Sequence, residues 1–215
     1  MCGRFTQTQT AEAIAQSFDL DEVPQWQPRY NIAPTQQIPA IVEPHHFKTL
    51  RWGLIPAWSK DAAIGSKLIN ARAETVSEKP AFREAFKRRR CLILADGYYE
   101  WKKQSGKKQP FYFQLNHHQP FAFAGLWERW NAPEGEPLET CTLITTEANE
   151  LAATVHDRMP VILQAEDYEA WLDPDFSEAR SLLRSYPSES MQTYAVPLSV
   201  NRPTHDDPDC ITELK

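Results

Sequence analysis

The residue that most invites chemistry stands second in the chain. Cys2, in "MCGRF", follows Met1 directly. Removing Met1 would leave an amine and a thiol on one residue, a 1,2-aminothiol. Its α-amino group titrates at about 7.7–8.0 and its thiol at about 8.5, so both are reactive near neutral pH, whereas a lysine amine at about 10.4 is almost wholly charged. Other chemistry-bearing side chains gather in three short motifs. "INARAET" offers Asn70 and Arg72, which share a face if the segment is extended. "ADGYYEW" offers Glu100 at the end of an apolar run, and "VHDRMPVIL" offers His156, Asp157 and Arg158 just before another. A carboxylic acid and a histidine are the residue types that move protons near neutral pH. Each also has a plain structural reading: Glu100 as a solvated strand residue, Asn70 as a turn residue, and His156 with Asp157 as a local loop clasp.

The elements that must position these groups are mostly strands. The apolar runs "IPAIVE", "KTLRW", "RCLILAD", "FAFAGLWERW", "CTLITTEA", "MPVIL" and "MQTYAV" read as strands, and "GYYEWKK-QSGK-KQPFYFQL" reads as a hairpin around Ser105-Gly106. In that hairpin Tyr99 and Trp101 fall on one face, and Tyr98, Glu100 and Lys102 on the other. Helices are expected over "TAEAIAQSF", with Thr10 as N-cap, and over "KPAFREAFKRR", "AEDYEAWL" and "FSEARSLLRSY". Separate strands and flanking helices predict an α+β fold, a single domain over 1–215 with a mainly antiparallel sheet or barrel-like core and peripheral helices. The polar, acidic segment 201–215 reads as a loosely attached tail.

Seventeen prolines against seven glycines argue for turns and edges rather than a helical bundle. No apolar run reaches the length of a membrane span and no signal peptide is evident, so a cytoplasmic protein is expected. None of the four cysteines forms a C-x-x-C pair and the six histidines lack zinc-finger spacing, which leaves neither a metal nor another cofactor expected. Cys91 and Cys141 sit in strand-like runs and read as core. The net charge of −6 hides an asymmetry. Residues 79–108 hold ten basic against three acidic side chains, a net +7, while residues 134–215 carry a net −12. The basic middle is what a phosphate-binding surface looks like, or else a solvated helix face followed by a Lys-rich turn.

Six motifs in order, "MCGRF", "RYNIAPTQ", "WGLIPAW", "INARAET", "ADGYYEW" and "HDRMPVIL", make the chain resemble the SOS response-associated peptidase (SRAP) family over nearly its whole length. The resemblance implies a protein that holds single-stranded DNA and reacts covalently with the ring-opened aldehyde of an abasic site, forming a thiazolidine. It implies Cys2 as nucleophile, Asn70 as a residue positioning aminothiol and sugar, Glu100 as acid/base near the sugar oxygen and His156 as a second proton-transfer group. It further implies Arg4, Arg72 and Arg158 as phosphate contacts, Trp58 as an aromatic wedge against the bases, and Asn31 and Pro34 as a loop near the terminal cysteine. The family's second aromatic after that tryptophan is Ser59 here, which weakens the stacking expected. The partner is then abasic single-stranded DNA, with no membrane or metal involved, and the protein is expected to act as a monomer. Two other readings use the same residues: a cysteine peptidase or amidohydrolase with Cys2 as nucleophile, His156 and Glu100 as base and orienter, and autocatalytic loss of Met1; or a purely non-covalent single-strand binder.

Overall fold

"RCLILA" is buried at every position, which requires cover on both faces of the strand. The alternation sorts its side chains into two cores. Cys91, Ile93 and Ala95 enter one cluster with Cys2, Phe5, Trp52 and Phe123. Leu92 and Leu94 enter a second with Ile14, Phe86 and Trp171, under the helices. A computed structural model of the chain describes residues 2–104, 106–132 and 135–214. The expected hairpin turn at Ser105 therefore lies partly outside the described residues.

In chain order the strands are β1 (Phe5–Gln7), β2 (Arg29–Ile32), β3 (Gln37–Glu43), β4 (His46–Trp52), β5 (Asn70–Arg72), β6 (Arg90–Ala95), β7 (Gly97–Gln104), β8 (Lys107–Leu115), β9 (Phe121–Trp130), β10 (Leu138–Glu147), β11 (Arg158–Pro160) and β12 (Met191–Ala195). One sheet runs β12-β8-β7-β1-β2. The other runs β10-β4-β3-β6-β9, and β9 pairs again with β10, so these strands close on themselves as a barrel. β5 and β11 add to the far half of β10. Pairing is antiparallel except where β4 and β5 meet β10 in parallel. The α+β reading with a mainly antiparallel, barrel-like core holds. Tyr98 and Phe113 of the open sheet stack on each other inside the first cluster, which is thus shared between the barrel and the second sheet.

Among the described residues four short α-helices lie outside: α1 (Ala11–Ser17), α2 (Arg83–Arg88), α3 (Glu150–Ala153) and α4 (Tyr168–Leu172). Thr10 caps α1 as expected, accepting from the Ala13 amide. "FSEARSLLRSY" forms only a 3-10 turn at Ala179–Leu182, where Ala179 and Leu182 alone are buried. That stripe is too narrow to hold a longer helix against the body.

The C-terminal segment differs from the expectation of a loose tail. The Asp206 carboxylate accepts from the backbone amides of Tyr30 (2.6 Å) and Asn31 (2.8 Å) and pairs with Arg29. The buried Asn31 amide donates to the carbonyls of Val200 (3.1 Å), Arg202 (3.0 Å) and His205 (2.7 Å). Val196, Val200 and Cys210 pack under Tyr99 and Tyr112 as a third cluster. Polarity made the segment look loose, yet its polar atoms are what tie it down.

Candidate functional site

Strand β1 delivers Cys2 into the interior. Its register against β7 pairs Phe5 with Tyr98, and the Tyr99 amide donates to the Arg4 carbonyl at 3.0 Å. Carried two residues further, that register sets Gly3 opposite Glu100. Cross-strand neighbours share a face, so the missing side chain leaves room beside the carboxyl. Cys2 itself is fully buried, its thiol donating to the Arg4 carbonyl at 3.6 Å. Burial, with the Glu100 charge second, pushes the Cys2 thiol far above its ordinary range, so it rests protonated and sheltered from oxidation.

Glu100 is almost fully buried on β7. Burial raises its pKa, and the positive charge available on His156 pulls the other way. The net bias is toward the protonated acid, the form that can donate. Asn70 reaches the same place from β5, which is held parallel to β10 with Leu143 opposite Asn70. Its side-chain amide donates to the Cys2 carbonyl at 2.8 Å. Its Oδ1 is buried with no protein partner, an acceptor left open beside the thiol-bearing residue.

The chain arrives at β5 through two glycines in close approach. A Cβ on Gly53 would lie 2.7 Å from the Gly65 carbonyl oxygen, and Gly53 has φ +121. A side chain at either position would push the "WGLIPAW" turn off the body that leads to Asn70. On that turn Trp58 is 61% exposed, its indole N–H 3.4 Å from the Pro80 carbonyl. The next residue is pinned, because Trp130 donates to the Ser59 carbonyl at 2.7 Å. The turn presents one large aromatic to solvent on a fixed support.

His156 follows α3. Its Nδ1 accepts the Arg158 amide at 3.0 Å, which leaves Nε2 to carry the proton in the neutral ring. The Asp157 carboxylate lies 2.9 Å from the same Nδ1, and it forms an ion pair only when that amide contact is given up and the ring is charged. His156 and Glu100 line one open cleft of about 470 Å³ with Arg4, Trp101, Lys103, Lys108 and Asn201.

The arginines divide. Arg72 is exposed on β5. Arg158 is held, with both Nη atoms on Glu74 (2.7 and 3.0 Å) and Nη2 also on the Thr145 carbonyl. Arg4 is half-buried, donating to Asn31 Oδ1 (2.9 Å) and the Val200 carbonyl (2.7 Å), with its guanidinium 6.0 Å from the Trp101 ring centre. Asn31 faces inward as the anchor already described, so its side chain offers DNA no surface, and Pro34 is half-buried in the turn after β2.

Tyr98 belongs to the same neighbourhood and is not among the residues singled out by motif. It is fully buried, its hydroxyl has no protein partner, and burial together with Cys2 and Glu100 keeps the phenol neutral. Its place two residues before Glu100 on one strand face was the available signal. Among the described residues, metal-ligating atoms gather only at His205, Asp209 and Cys210, within 4.8 Å of one another. They already serve the C-terminal clasp: His205 Nε2 is hydrogen-bonded to the Asp209 carboxylate at 2.8 Å, and the Cys210 thiol donates to the His205 backbone carbonyl at 3.6 Å.

The family model described as "SOS response associated peptidase (SRAP)" matches residues 1–203. The chain is 48% identical to the abasic site processing protein YoqW of Bacillus subtilis (strain 168), over 98% of this chain and 99% of that one. It is 32% identical to the abasic site processing protein HMCES of Gallus gallus, covering 88% of this chain and 67% of that one. A crystal structure of a Bacteroides thetaiotaomicron protein superposes with a TM-score of 0.90 at 29% identity, covering both chains in full. Among the described residues no helix is long and apolar enough to cross a membrane.

Proposed function

The chain belongs to the SOS response associated peptidase family, and from that premise we propose that it recognises abasic sites in single-stranded DNA and traps them covalently through Cys2 once Met1 is removed. The observation that carries this reading is the buried Glu100, its pKa raised by burial and its charge acting on the Cys2 thiol, with Asn70 donating to the Cys2 carbonyl. The names of the relatives, abasic site processing proteins, support the substrate class.

The chemistry balances without a redox step. Glu100 gives its proton to the ring oxygen of the abasic sugar while the anomeric hydroxyl gives up its own to His156, and the ring opens to the aldehyde. The neutral α-amine of Cys2 adds to the aldehyde carbon, and loss of one water leaves an imine. The thiol then adds to the imine carbon. Its sulfur forms the second bond of a five-membered ring, and its proton ends on the ring nitrogen by way of Glu100 or His156. A protonated, buried thiol suits that order, because it is consumed last and need not be ionised beforehand.

No base exists at the lesion to be read, so affinity must come from phosphates and from flanking bases. Arg72 is exposed for the first task. Arg158 and Arg4 are pre-positioned by protein contacts and would share those contacts with a phosphate. Trp58 supplies a stacking surface that interrupts a continuing duplex. Every group is drawn from one chain, so a monomer suffices, acting in the cytoplasm and at the nucleoid when DNA is bound. A peptidase use of Cys2 predicts peptide turnover with no DNA adduct.

The test is a denaturing gel after incubation with single-stranded DNA carrying one abasic site. The expected outcome is a heat-stable shifted band that disappears in Cys2→Ala. Absence of the band in the wild-type protein would leave the peptidase or the non-covalent reading.

A further inference from the structure

We propose that Lys103 and Lys108 form a paired site for one backbone phosphate of the bound strand, flanking the sugar that meets Glu100. This rests on the reading above and deepens it. The two lysines are direct cross-strand partners in the β7–β8 hairpin. Like charges placed opposite one another on a strand pair are unfavourable, and nothing in a hairpin's geometry calls for them. The chain carries six more acids than bases, so partners of opposite sign are plentiful. Yet among the described residues no ion pair involves Lys103 or Lys108, although Lys48, Arg89 and Arg158 each have one. Both are exposed, and both line the cleft that holds Glu100 and His156.

Two ammonium groups facing each other across a strand pair make a site for a compact anion between them. The anion's charge offsets the repulsion that the empty pair suffers. Lys103 lies three residues beyond Glu100, about 10 Å at the rise of a strand and on the face that carries Trp101, which sets the pair at the Trp101 side of the cleft, beside the sugar's neighbour rather than at the sugar. The other cation in the cleft, Arg4, is already bonded to Asn31 and Val200. That leaves the lysine pair as the uncommitted positive charge there.

The experiment uses the full chain and an oligonucleotide carrying a tetrahydrofuran abasic analogue, which has no aldehyde and reports binding alone. The salt dependence of its affinity is compared for wild type and Lys103→Gln/Lys108→Gln. The expected result is a slope of log affinity against log salt that is shallower by about 0.7 in the variant, the value for one lost phosphate contact on a single strand. A set of oligonucleotides with one uncharged methylphosphonate linkage each then locates the contact. One position beside the analogue should weaken wild-type binding and leave the double variant unaffected. Equal slopes, with wild type binding normally, overturn the lysine assignment and leave the function intact. Failure of the wild-type protein to bind the analogue at any salt overturns both. Free inorganic phosphate as the true ligand would show as competition by millimolar phosphate lost in the variant, with every methylphosphonate position silent, and also overturns the assignment.

Discussion

At Glu100 the fold holds a carboxyl where its ionised form is disfavoured, and the consequences can be read in both stability and rate. Its folded-state pKa is raised, chiefly by burial. A raised carboxyl contributes stability that is full below the ordinary carboxylate range and is lost as pH rises through the folded value. Glu100→Gln removes that loss, so the variant should be as stable as wild type or more so at neutral pH. As a proton donor, however, the carboxyl is needed protonated. Crosslinking in the wild type needs the α-amine neutral and Glu100 protonated at once, so its rate should pass through a maximum with pH, rising on one limb and falling on the other. In Glu100→Gln the rate should drop by roughly 10²-fold or more and the descending limb should vanish, while DNA binding persists. Single-turnover crosslinking across pH measures both, and an unchanged profile removes Glu100 from the role. Glu100, Asn70 and Cys2 could be picked out of the sequence because each lies in a short motif of unusual composition. The sequence places Tyr98 on the strand face of Glu100, but an aromatic there is expected everywhere, and only the packing shows that its hydroxyl lacks a partner.

The elements were legible wherever one strand or helix carries its own signal. The unbroken apolar run "RCLILAD", the cap at Thr10 and the hairpin positions of Tyr98 to Lys102 all reappear in the fold. Closure of the barrel through β9 and β10 was not, because the pairing of Thr142 with Leu126 depends on partners chosen across the molecule. The C-terminal segment was misread for a related reason. Asp206 and Asn31 bond mainly to backbone groups, which leave no trace in side-chain patterning. This clasp also reaches the site, since Asn31 Oδ1 and the Val200 carbonyl hold Arg4. Asn31→Ala leaves three carbonyls and a guanidinium short of partners, and should cost about 1–3 kcal/mol. Hydrogen exchange should then quicken in residues 201–214 ahead of the barrel strands. Uniform protection in the variant would show that the segment is held by its apolar contacts instead.

Across the whole molecule, charge and chemistry are divided in a way that suits a strand-binding protein of net negative charge. Within the acidic residues 134–215 the last stretch, 201–214, folds back as a clasp, while the exposed Trp58, Arg72, Lys103 and Lys108 all lie between residues 58 and 108. The regional charge was legible from composition. The use of each cation was not, because Arg158 and Arg4 prove to be tied by Glu74 and Asn31 while Lys103 and Lys108 stand uncommitted. The central claim is that the molecule becomes one covalent species with DNA through a free N-terminal aminothiol. The most direct measurement is the intact mass of the species formed with an abasic oligonucleotide. The account predicts the mass of the chain without Met1 plus the oligonucleotide less one water, and no such species in Cys2→Ala. An adduct that retains Met1, or one formed equally by Cys2→Ala, would contradict it.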